Sequence, residues 1–185
     1  LASVRLAIPL ALVASLLQLV TGHWSAVGVT EYQPAKMAAF EGHYPASAPA
    51  TLWLFGWVDE GARQVEYGLG LPGGVGLLVS GDGNAPIVGL EAFDEADRPP
   101  VNPVFQAYHL MVALGMALIA VSVAGAVAMW RGALTRWRWL QRLFVVGVVG
   151  PQVAIQTGWF ATEVGRQPWV VYGLLRTQDA FSPNV

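Results

Sequence analysis

The chain has 185 residues, a formal net charge of −2, 55% hydrophobic residues and only 12% charged ones. So little charge cannot clothe a water-facing surface, so lipid is read as the solvent for much of the chain, and disorder is excluded. Ten basic against twelve acidic residues leave no electrostatic footprint for nucleic acid, and the absence of cysteine rules out disulfides, thiolate metal sites, iron–sulfur ligands and catalytic thiols.

Residues 1–30 are predicted to form a transmembrane helix and its outer end. The stretch Leu6–Thr30 holds no Asp, Glu, Lys or Arg, and its apolar part ends near Val20, against the ~20 residues a bilayer requires. A signal peptide is the other reading, but residue 1 is not Met and no small-residue cleavage site follows cleanly. Residues 31–102 change character: Pro34, Pro45, Pro49, Pro72, Pro86, Pro99 and Pro100, many glycines and most acidic residues mark a loop outside the membrane. Its short apolar runs Thr51–Val58 and Val75–Val79 fit strands or a cap packed on the bilayer surface.

Residues 103–131 are predicted as the second span, since Pro99–Trp130 is free of charge. The hinge 132–142 is flanked or occupied by Arg131, Arg136, Arg138 and Arg142 without an acid, inside a belt of Trp130, Trp137 and Trp139. By the positive-inside rule it is cytoplasmic, as is Arg5. The 31–102 loop and a tail at 166–185 then lie on the outer face. Residues 143–165 are the third span, with Pro151 inside it. The expected fold is an all-α membrane protein: a transmembrane helix bundle with a partly irregular extracytoplasmic loop.

A few polar residues stand where lipid makes them expensive. Gln152, Gln156, Trp159, Glu163 and Arg166 follow one another at intervals of 4, 3, 4 and 3, which places them within about 40° of one helix direction. That face looks at protein, cofactor or water. By spacing alone, Glu163 and Arg166 also fit an ion pair that anchors the helix at the interface. His109 and Met111, two residues apart on the second span, point ~200° apart and cannot bind one metal. Tyr108 and Gly115 share the Met111 side, where glycine admits a flat ring; a lone Met in such a helix is otherwise packing. No internal repeat, phosphate-binding loop or zinc spacing is found.

The run Gly158-Trp159-Phe160-Ala161-Thr162-Glu163-Val164-Gly165-Arg166-Gln167-Pro168-Trp169 resembles the signature of subunit I of the cytochrome bd quinol oxidases. Gln33–Glu41 resembles the start of that family's quinol-binding loop, and Tyr108–Val112 its heme-bearing seventh helix. The resemblance covers the whole chain, read as the C-terminal part of the subunit: its sixth to eighth transmembrane helices with a short quinol-binding loop.

The resemblance implies oxidation of membrane quinol and reduction of dioxygen to water, with protons taken from the cytoplasm and released outside, in a multi-pass subunit of the bacterial inner membrane. Lys36 and Glu41 would be the quinol-site residues, Glu41 accepting a proton and Lys36 orienting or polarising a quinone oxygen. Met111 would be an axial ligand of low-spin heme b with His109 lining its surroundings, and Glu163 the ligand of high-spin heme b with Arg166 and Trp159 beside it. The heme d ligand and the axial histidines would lie in the remainder of subunit I, which with subunit II, lipid, quinol and dioxygen makes up the implied partners. The sequence departs from some relatives in having His109 where they carry Arg. A heme-free scaffold subunit descended from the same family is the alternative, and a visible heme spectrum distinguishes the two.

Overall fold

The computed structural model describes residues 2–181; residues 182–185 of the expected tail lie outside the described residues. Two charge-free stretches become long helices, α1 (Ala2–Tyr32) and α4 (Val101–Trp130), each apolar and long enough to cross a membrane. Between them lie α2 (Pro34–Glu41), the strands β1 (Leu52–Asp59) and β2 (Gln64–Leu71), and α3 (Gly74–Ser80). After α4 come α5 (Arg138–Val146), α6 (Gly150–Gly165), and the short strands β3 (Trp169–Val171) and β4 (Leu175–Arg176).

The third expected span is broken. α5 and α6 meet at a bend of 42°, within the 143–165 span that the sequence predicts around Pro151. Pro151 has no N–H to give and its ring clashes with the carbonyl four residues back, at Gly147, so the helix stops and restarts with proline in its first turn. The helix also begins earlier than expected, taking Arg138–Arg142 out of the hinge.

The all-α expectation is corrected by two small antiparallel sheets, β1 with β2 and β3 with β4. The Thr51–Val58 run is the strand it fits, pairing Leu52 with Leu71 and Val58 with Val65. The Val75–Val79 run instead lies in α3, bounded by Gly73 and Gly81, which both hold left-handed backbone. A run of that length does not reveal its period.

The chain forms two compact units. One takes the described residues up to His23 together with Leu110–Thr157. Its small core joins Ile8, Ala128, Leu134 and Leu140. Gly125 makes that approach possible, because a Cβ there would stand 3.0 Å from Phe144 and 3.4 Å from Ile8.

The other unit takes Trp24–His109 and the described residues from Gly158 on. Its core gathers Met37, Ala38, Ala39, Phe40, Val58, Leu90, Val104, Phe105 and Ala161, so α2 sits at its centre. Gly42 ends α2 at φ +66°, with its N–H on the carbonyls of Ala38 and Ala39. A Cβ there would also stand 2.8 Å from Val65 and 3.3 Å from Phe105 and Val58. Gly42→Ala therefore meets both a backbone penalty and overpacking, and is expected to cost about 2–4 kcal/mol, read as a lowered thermal midpoint of the detergent-solubilised protein. The β3–β4 hairpin is fastened by an ion pair between Arg176 and Asp97, with the same guanidinium 4.9 Å from the Trp169 ring.

Candidate functional site

The residues Pro34–Glu41 form a helix because Pro34 supplies a preset φ in its first turn and Gly42 closes it. All residues from Ala35 to Glu41 are buried. Glu41, 1% exposed, is the most unusual of them: neither carboxyl oxygen has a hydrogen-bond partner. Burial raises its pKa to about 8, opposed by the Trp53 backbone and the Tyr108 hydroxyl, which face it. A neutral carboxylic acid at ordinary pH, buried with free hydrogen-bonding capacity, is equipped to take or hold a proton.

The surroundings of α2 come from distant parts of the sequence. The Phe40 and Tyr108 rings stack at 4.5 Å and 8°. Val58 N–H donates to Asn102 Oδ1, Gln106 Nε2 donates to the Gly56 carbonyl, and Asn102 N–H donates to Glu60. His109 completes the seam: Nδ1 lies 2.8 Å from the Phe105 carbonyl and Nε2 2.9 Å from the Trp53 carbonyl. Both ring nitrogens lie against main-chain oxygens, and the neutral imidazole donates its one N–H to one of them. His43, whose pKa burial lowers, likewise places Nε2 2.9 Å from the Thr51 carbonyl.

Lys36 and Glu41 turn to different neighbours, as five residues of helix require. Lys36, 5% exposed, lies against the end of α6, where a Cβ on Gly165 would stand 3.4 Å from its Cγ. Burial and the nearby charge of Arg166 lower its pKa, and Glu163 raises it in part. Glu163 pairs with Arg166 at 2.6 Å, both side chains being more than a third exposed. Trp159 is 65% exposed on the same helix. The structure thus brings Lys36, Glu163 and Arg166 together. Met111 lies half-buried on α4 in the other unit, one turn before Gly115, where an added Cβ would meet nothing within 4 Å.

A family model described as cytochrome bd terminal oxidase subunit I matches residues 1–185. The chain belongs to this family. It is 34% identical over 94% of its length to the putative cytochrome bd menaquinol oxidase subunit I of Bacillus subtilis, and 30% identical over 99% to the cytochrome bd ubiquinol oxidase subunit 1 of the same organism. The bd oxidase of Geobacillus thermodenitrificans matches 92% of the chain at 34% identity with a TM-score of 0.76. The chain spans 39% and 41% of the two Bacillus relatives and 39% of the solved chain.

For a bd-type subunit I, the donor set fits heme. A thioether on an apolar helix beside an open glycine suits a flat macrocycle, and Glu163 has carboxylate capacity beyond its single ion pair. Arg166 keeps a buried Nε with no partner. Among the described residues no cluster of three His, Cys, Asp or Glu could hold a separate metal ion. Sequence reading missed the residues that come to α2 and α4 from afar: Trp53 and Tyr108, which act on the Glu41 pKa, and the Asn102–Gln106 seam that ties α4 to the hairpin. The polar residues Asn102 and Gln106 at the mouth of an apolar helix were the available signal.

Proposed function

We propose that this bd-family chain supplies the quinol-oxidising site and two heme ligands of a terminal oxidase in the bacterial cytoplasmic membrane. It would act with the remainder of subunit I, subunit II and lipid, and α1, α4 and the α5–α6 pair would cross the bilayer. The arginine-rich 131–142 segment supports a cytoplasmic hinge, which puts the 31–102 loop and the tail on the outer face. The observation that carries the reading is Glu41: a fully buried carboxyl without a partner, at the end of the segment that resembles the quinol loop.

When bound, the hemes (low-spin b, high-spin b and a third, heme d) pass electrons from quinol to dioxygen, which is reduced to water. The chain's own residues bind and move the proton. Glu41, as the carboxylate, takes the proton of a quinol hydroxyl at one edge of the ring. Lys36, buried between Arg166 and Glu163, supplies positive potential to an oxygen at the other edge. Met111 holds low-spin heme b by its sulfur, with His109 bracing the helix alongside. Glu163 holds high-spin heme b, with Arg166 balancing its charge and Trp159 packing on the ring.

Glu41 must lose its proton to act, so kcat/KM for a short-chain quinol is expected to rise with pH through about 8. Glu41→Gln is expected to lower turnover by about 10²-fold or more and to leave the heme spectrum intact. Undiminished turnover in that variant, measured as oxygen uptake, removes Glu41 from the site. A purified complex with no visible heme bands favours the scaffold alternative.

A further inference from the structure

We infer that Tyr108 is a positioning residue for Glu41, its hydroxyl donating to the carboxylate and its ring, stacked on Phe40, fixing the helix turn that carries it. The inference rests on the reading of Glu41 as the proton acceptor and adds a residue from another part of the chain to it.

Four observations carry it. Glu41 is buried and both its oxygens lack partners in this structure, so an anion formed there needs a donor within the protein. From α4, Tyr108 is held beside this end of α2 by its stack on Phe40, the residue before Glu41, and the pull of its hydroxyl and of the Trp53 backbone on the Glu41 pKa is downward, against burial. The Trp53 carbonyl lies 2.9 Å from His109 Nε2 and, as an acceptor, offers an ionised Glu41 no hydrogen. The Tyr108 ring is clamped, face to face with Phe40 at 4.5 Å and edge-on to His109 at 5.4 Å, so its hydroxyl has little freedom to leave.

The other titratable groups near this position do not compete. Lys36, on the same helix, is turned toward Gly165 and the Glu163–Arg166 pair. His109 has both nitrogens on main-chain carbonyls, and His43 has Nε2 on Thr51. β2 brings Val65, which has no charge to offer. A side-chain hydroxyl that donates only when the carboxyl is ionised stabilises the anion selectively.

Tyr108→Phe removes one oxygen and keeps the stack, so it separates donation from packing. In the assembled, heme-loaded oxidase, the protonated carboxyl band of Glu41 is identified by infrared difference against Glu41→Gln and titrated with pH. The midpoint is expected to move up by about one pH unit in Tyr108→Phe. The rising limb of kcat/KM for a short-chain quinol should move with it, while kcat above both midpoints stays within about twofold. An unmoved infrared midpoint overturns the inference. Normal turnover in Glu41→Gln would instead overturn the proton-acceptor reading, and the infrared midpoint would still decide whether Tyr108 donates to Glu41.

Discussion

Glu163→Ala is expected to cut the high-spin heme content of the purified oxidase by about tenfold or more, read from its absorbance bands and from extracted heme per complex. The low-spin bands should persist. The alternative, an ion pair that merely anchors α6, predicts almost nothing. With both side chains more than a third exposed, the Glu163–Arg166 pair contributes at most ~1 kcal/mol, too little to unseat a cofactor through a weakened fold. Glu163→Gln keeps the shape and removes the charge. If Gln retains the heme, geometry dominates; if it loses the heme as Ala does, the anion is the ligand. A Glu163→Ala complex with full high-spin heme restores the anchor reading.

Met111→Leu carries the second large effect. Leu nearly matches Met in volume, so the packing cost stays under ~1.5 kcal/mol and the helix should insert as before. On the proposed reading the variant loses a thioether that acts as a neutral soft ligand, favouring ferrous iron and raising the heme potential. The expected result is loss of most of the low-spin band, or a surviving heme with a lower midpoint in a redox titration. The high-spin heme proposed for Glu163 should be retained, which makes the two variants reciprocal controls. An unchanged spectrum and potential would leave Met111 as packing.

The two kinds of signal in the sequence differ in reach. α1 and α4 are legible because charge is excluded over stretches longer than a bilayer needs, a property of composition alone. The separation of Lys36 from Glu41 follows from helix period once the segment is taken as helical. The break between α5 and α6 was signalled by Pro151, but whether proline kinks or interrupts a span depends on what its neighbours satisfy. His109 was half legible: its contact with the Phe105 carbonyl is a one-turn relation, whereas the Trp53 carbonyl comes from 56 positions away. The same holds for Tyr108 and Glu41. No local pattern predicts that a phenol on one helix will come beside a carboxyl on another, because that approach is decided by how α2 packs on α4, where Phe40 stacks on Tyr108.

The seam that joins the hairpin to α4 has a further consequence for biogenesis. Its four hydrogen bonds link residues 42, 44, 50 and 56 positions apart, so a nascent chain makes the hairpin before it has made the other half of the seam. Residues 101–109 complete the core around α2, and in the finished fold burial holds the Glu41 pKa at about 8, above the ordinary value of 4.5. Between those values the folded chain binds a proton that the unfolded chain releases, so by linkage this unit is less stable as pH rises across that window. The folding of this unit is thus coupled to the acidity of the compartment in which the loop folds.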